Sequence, residues 1–150
     1  MNIKQIDHTG ITVSDIEKSI RFYRDVMGFR LLSPPSEPVD DETESIAITE
    51  EKGAVTRVCT MEVCEGSVIE LLEFVAPDSP VTNPMPMYTL GKHHIAYQVD
   101  DLDAWIDRLK SAGVEFTSEP VKAWEENMNS WIMCKDPDGI MIELVEASKQ

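Results

Sequence analysis

The chain has 150 residues, long enough to bury roughly 68–70% of the surface its unfolded form exposes. Its 13 Lys and Arg against 28 Asp and Glu give a formal charge of −15, a field that repels phosphate and so argues against nucleic acid or an acidic membrane surface and for a small-molecule partner. The three cysteines, Cys59, Cys64 and Cys134, show no Cys-x-x-Cys spacing, and no signal-like or membrane-spanning apolar run occurs, so a cytoplasmic protein with reduced thiols is expected.

Residues 6–13 form the first expected strand, in which alternation places His8, Gly10 and Thr12 on one face and Thr9, Ile11 and Val13 on the other. Over residues 15–27 the apolar side chains Ile16, Ile20, Tyr23 and Met27 recur at helical spacing, with Asp15 as N-terminal cap and Gly28 as stop. Stretches of β-prone sequence follow at 29–33, 45–49, 55–63 and 68–74; in the third, Cys59, Met61 and Val63 alternate as packing positions. The proline-rich residues 77–92 are expected to be a linker, with residues 83–88 packed on their neighbours, joining a first module (1–76) to a second (93–147).

The second module repeats the plan. A strand at 94–99 precedes a helix over 101–112, with Leu102, Trp105, Ile106 and Leu109 as its apolar stripe, Asp101 as cap and Gly113 as stop. Strands are expected at 115–118, 130–134 and 140–145, and the segment 121–131, with Trp124 and Asn127, is expected to be a cavity-edge loop or a longer hairpin. His8 precedes Val13 by five residues and His94 precedes Val99 by five; Asp15 with Asp101, Ile16 with Leu102 and Ile20 with Ile106 keep the same offset. "GSVIELLE" at 66–73 recurs as "GIMIELVE" at 139–146. Self-similarity on this scale implies two copies of one supersecondary unit.

The repeat places four ligand-capable side chains, His8, Glu70, His94 and Glu143, at equivalent points of the two halves. A single strand histidine usually fills a core or surface role, and a single strand glutamate usually meets water. Their conjunction points elsewhere: glutamates flanked by Ile69 and Leu71, and by Ile142 and Leu144, need a cation if both turn inward. Two imidazoles and two carboxylates would admit one divalent ion per chain, Zn, Ni, Co, Fe or Mn, with positions left for substrate oxygens. The competing reading is an ancestral repeat that holds no ion.

"DHTGITVSDIEKSIRFYRDVMGF", "IELLEF", "GKHHIAYQVDDLDAW" and "DPDGIMIELVE" together resemble the vicinal oxygen chelate superfamily of glyoxalases, bleomycin-resistance proteins and extradiol dioxygenases, across nearly the whole chain. The resemblance implies an α+β fold of two tandem βαβββ modules whose curled sheets surround a metal-binding cavity, with His8, Glu70, His94 and Glu143 at the usual ligand positions. His93 departs from the repeat register and is left out of the ligand set. "ELLEF" and "GKHHIAYQV" are similar to methylmalonyl-CoA epimerases, whose Glu-x-Gly acid/base segment matches Glu51-Lys52-Gly53. "DPDGIMIEL" instead resembles lactoylglutathione lyases, and cations to greet CoA phosphates are sparse.

The function so implied is a metal-dependent lyase or isomerase of glyoxalase type, moving a proton beside a chelated carbonyl of a small oxygenated substrate. Glu143 is the preferred base and Glu51 a second candidate. A CoA-type epimerase, an extradiol-type dioxygenase and a non-catalytic antibiotic-binding protein are the alternatives. A dioxygenase would dispense with the fourth ligand Glu70, and a binding protein with all four. A homodimer is expected, because the family commonly covers its sheet edges by pairing modules.

Overall fold

The computed structural model describes residues 2–77, 86–123, 125 and 128–148. The chain divides into two compact units, Met1–Thr82 and Asn83–Gln150. In the first, β1 (Thr9–Val13), α1 (Ile16–Arg21), β2 (Arg30–Leu31), α2 (Glu42–Thr49), β3 (Val55–Cys64) and β4 (Ser67–Ala76) follow in order, and the sheet runs β1-β4-β3-β2. In the second, β5 (His94–Val99), α3 (Leu102–Ser111), β6 (Ser130–Lys135) and β7 (Met141–Glu146) form a sheet of order β5-β7-β6. β1 lies parallel to β4 and β5 parallel to β7, so each unit returns its last strand beside its first. The fold is mixed α+β, and among the described residues neither sheet closes into a barrel.

Alternation sorts the strands as the sequence implies. Ile11 and Val13 of β1, Cys59 and Met61 of β3, and Ile69 and Leu71 of β4 are buried, together with Ile16, Ile20, Tyr23 and Met27 of the helical segment. α1 begins at a true cap, where the Asp15 carboxylate accepts from Lys18 N at 2.9 Å. It then widens into a π-helical turn over Phe22–Val26, in which Met27 N donates to Phe22 O at 3.0 Å. That wider turn lets the adjacent rings of Phe22 and Tyr23 both turn inward, edge to face at 5.1 Å, with Tyr23 stacked on Phe29 at 5.6 Å. In the second unit Leu102, Ile106 and Leu109 of α3 bury with Ile132, Cys134, Ile142 and Leu144. Trp105, expected in that stripe, is half-buried and carries the Arg108 guanidinium over its ring at 5.1 Å.

Four expectations about the elements are corrected. Residues 45–49, with their alternating isoleucines, form the helix α2 rather than a strand, because Asp41 caps it through Glu44 N at 2.9 Å and Glu42 and Glu44 favour its N-terminal dipole. The buried Ser45 hydroxyl then ties it down, donating to Glu51 O at 2.8 Å and accepting from Ala54 N at 2.8 Å. Residues 115–118 contribute only the isolated bridge Phe116↔Cys134; the next bridge, Val121↔Trp131, follows Pro120, which has no N–H to give a ladder. The first strand starts at Thr9, not at residue 6, and Ile6 is exposed. Of the expected linker, Tyr88 is exposed rather than packed, Leu90 is exposed too, and residues 78–85 lie outside the described residues, as do Trp124 and Asn127.

Candidate metal centre

The strand pairing brings a histidine to a glutamate in each unit. Gly10 lies opposite Glu70 in the β1–β4 register, and Ala96 lies opposite Glu143 in the β5–β7 register. Each small residue leaves the space beside the carboxylate to the imidazole two positions earlier in the chain, on the same face. His8 Nε2 stands 3.7 Å from Glu70 Oε1, and His94 Nε2 stands 3.0 Å from Glu143 Oε2. Both pairs sit on the sheet face opposite the helix, since their neighbours Ile69, Leu71, Ile142 and Leu144 are the buried ones. The carboxylates are half-buried and the imidazoles more open. The cation requirement set out for inward-turned glutamates therefore applies only in reduced form, because water reaches both.

The pairs differ in their surroundings. His8 Nδ1 bonds Asp7 Oδ2 at 2.9 Å, and this hydrogen bond, followed by the charge of Glu70, raises the His8 pKa above 6.5. At the matching position of the second unit stands His93, whose Nδ1 faces the Gly91 carbonyl at 3.4 Å. Glu51 lies in the turn that enters β3, exposed, with its backbone bonded to Ser45 and Thr49. That turn is at the far end of the strand from Glu70: Val55 pairs with Ala76 and Thr60 with Glu70, a stretch of about 17 Å at ~3.4 Å per residue.

Two ligands on neighbouring positions of one divalent ion, each about 2.1 Å from it, are about 3.0 Å apart at a right angle and about 3.4 Å apart at the tetrahedral angle. The observed 3.0 Å separation of His94 and Glu143 matches that bite and the 3.7 Å of His8 and Glu70 lies about 0.3 Å beyond it, and imidazole nitrogen with carboxylate oxygen is a donor set for Zn, Ni, Co, Fe or Mn. Each pair, within its own unit, thus offers a divalent ion two donors. Among the described residues, no group of three or more His, Cys, Asp or Glu has metal-holding spacing.

A second role for the repeated octapeptide was not apparent from the sequence. Its last residue, Glu73 in one unit and Glu146 in the other, faces the helix and accepts from that helix's first backbone N–H: Ile16 N to Glu73 Oε1 at 3.4 Å, Leu102 N to Glu146 Oε2 at 3.0 Å. Glu73 also holds Arg57 at 3.1 Å, and Arg57 holds Glu17 at 3.1 Å. The octapeptide therefore carries two carboxylates with separate tasks, one per sheet face, and the recurring eighth residue was the signal. In "DPDG" the buried Asp136 accepts from Asp138 N at 2.9 Å and Ile140 N at 2.8 Å, so this motif shapes the turn that starts β7 and aims Glu143.

Residues 5–144 match the model of the Glyoxalase/Bleomycin resistance protein/Dioxygenase superfamily. The chain belongs to that superfamily. A Vibrio parahaemolyticus relative named probable lactoylglutathione lyase is 35% identical over 150 residues, spanning 97% of this chain and 93% of that protein. The human mitochondrial methylmalonyl-CoA epimerase is 26% identical over 148 residues, spanning 97% and 76%. In fold, the crystal structure of a glyoxalase family protein from Bacillus cereus superposes with a TM-score of 0.85 at 24% identity, over 99% of this chain and 97% of that one. The superfamily resemblance drawn from the octapeptides and the strand-to-helix entries is thereby established, and relatives named as lyase and epimerase support an enzyme.

Proposed function

We propose that the chain is a metal-dependent lyase or isomerase of glyoxalase type, in which His8, Glu70, His94 and Glu143 hold one divalent ion and Glu143 moves a proton on a small α-oxygenated carbonyl substrate. The observation that carries this is the His–Glu pair built twice at corresponding registers, with separations of 3.7 Å and 3.0 Å. When bound, the ion would supply Lewis acidity, polarising the substrate oxygens and stabilising the charge left by the departing proton. Glu143 accepts that proton through a carboxylate oxygen and returns it to carbon.

Small substrates fit the charge distribution. The cations on the sheet faces that carry the pairs are engaged: Arg30 binds Glu62 at 2.6 Å and Lys135 binds Glu115 at 3.5 Å. A many-phosphate carrier would find no ready cluster there among the described residues. The epimerase reading keeps support from the human relative, and it would call on Glu51 as second base.

We further infer a homodimer in the cytoplasm. Support comes from the edge strands β1 and β5 and the free thiols, and among the described residues no helix is long and apolar enough to cross a membrane. Light scattering that reports a monomer at micromolar concentration would reject the dimer.

The functional test is NMR in deuterated water with metal-loaded protein and a panel of α-hydroxy carbonyl compounds and thioesters. Wild type should exchange the proton next to the carbonyl, Glu143→Gln should lose exchange while retaining the ion, and Glu51→Gln should act as wild type. Loss of exchange in Glu51→Gln would establish the two-base epimerase. Full exchange in metal-loaded Glu143→Gln would remove Glu143 from the chemistry.

A further inference from the structure

The two imidazoles of the candidate centre are held in different hydrogen-bonding states, and one exposed residue makes the difference. Asp7 Oδ2 lies 2.9 Å from His8 Nδ1. An ionised carboxylate only accepts hydrogen bonds, so the His8 proton sits on Nδ1 and Nε2 keeps its lone pair. That nitrogen points toward Glu70, yet at 3.7 Å it is beyond hydrogen-bond reach of the carboxylate. In the second unit the residue matching Asp7 is His93, which turns to the Gly91 carbonyl. His94 Nε2 lies only 3.0 Å from Glu143 Oε2. No carboxylate takes the matching position behind His94, so its ring lacks the brace that sets His8.

We propose that Asp7 is a positioning residue that presets His8 in the ligand tautomer, so that the His8–Glu70 pair accepts a divalent ion without proton rearrangement, whereas His94 has no such brace at the matching position. The inference rests on the metal reading above for its consequence, but its geometry stands apart from it. A carboxylate behind a ligating imidazole fixes ring orientation and tautomer, and its removal typically costs about 10–100-fold in metal affinity. Asp7 is exposed and its side chain bonds His8, so replacing it leaves the core intact.

The experiment is a long-range proton–nitrogen correlation spectrum of the imidazoles in metal-free protein, at a pH where both rings are neutral, followed by titration with zinc. Wild type should show His8 protonated on Nδ1. Asp7→Ala should turn His8 into a tautomer mixture and weaken zinc binding about 10–100-fold. Asp7→Asn, which keeps an acceptor oxygen, should restore most of both. His93→Ala should leave both rings and the zinc affinity as in wild type. A wild-type His8 protonated on Nε2, an unchanged His8 tautomer in Asp7→Ala, or an unchanged zinc affinity in that variant would each overturn the proposal. A preset His8 in a wild-type protein that takes no zinc, nickel, cobalt or manganese would overturn the metal reading instead, while leaving the Asp7 brace in place.

Discussion

Replacing Glu146 with alanine should destabilise the protein without touching the centre, although Glu146 is only three residues from Glu143 in the same strand. The carboxylate accepts from Leu102 N at 3.0 Å, at the start of a helix whose first residue is fully buried. A hydrogen bond to a charged group contributes about 1.5–3 kcal/mol, and the charge meets the positive end of α3. Asp101 continues to cap Ala104 N at 2.9 Å, so the helix keeps one of its two acceptors. The expected loss is about 2 kcal/mol, which for a chain of this size corresponds to about 4–8 °C in Tm. Glu146→Gln retains an acceptor oxygen and should lose less than half as much. Calorimetry on wild type, Glu146→Ala, Glu146→Gln and Glu143→Gln measures this directly, with Glu143→Gln within about 0.5 kcal/mol of wild type because its face is half-open to water. A Glu146→Ala protein that melts with the wild type would refute the division of the octapeptide into a capping glutamate and a centre glutamate.

In metal-free protein His8 should titrate above 6.5 by NMR, and Asp7→Asn should bring it back toward that value, since the Asp7 hydrogen bond is the larger cause and Glu70 the next. The protonated ring then contributes its stabilisation fully below pH 6.5 and loses it as pH rises through the raised folded-state pKa, while metal uptake, which needs the neutral ring, strengthens over that same rise. Burial pushes the Cys59 and Cys134 thiols up to about 11 while Cys64 is exposed, so a disulfide reagent should modify one thiol rapidly in the folded protein and all three after unfolding. Glu50 ends α2 in the left-handed region at φ 62°; Glu50→Gly should remove about 1–2 kcal/mol of strain against about 0.5–1 kcal/mol of added chain entropy, and an unchanged or lower Tm would contradict that assignment.

Much of this was legible because two periodicities coincide in the repeat. The alternation of His8, Gly10 and Thr12 against Ile11 and Val13, with the octapeptide glutamates set among Ile and Leu, was enough to put the candidate ligands on the faces opposite the helices, where they are found. The parallel return of β4 to β1 and of β7 to β5 then makes each histidine a neighbour of its glutamate. Local competition hid the rest. The β-branched run 45–49 was overridden by the Asp41 cap and the Ser45 hydroxyl, neither of which leaves a periodic trace. The roles of Glu73, Glu146 and Asp136 depend on which backbone N–H groups lie opposite them across the fold, and pairing of that kind is invisible to spacing.

Metal content bears on the central claim most directly. The chain, expressed and purified without chelators, should carry about one divalent ion per chain by elemental analysis, and His8→Ala, Glu70→Ala, His94→Ala and Glu143→Ala should each reduce occupancy sharply while Glu51→Ala does not. Wild-type protein that holds no ion, and whose melting temperature is unmoved by added Ni, Co, Mn or Zn, would contradict the account and leave the paired histidines and glutamates as an inherited repeat without a metal.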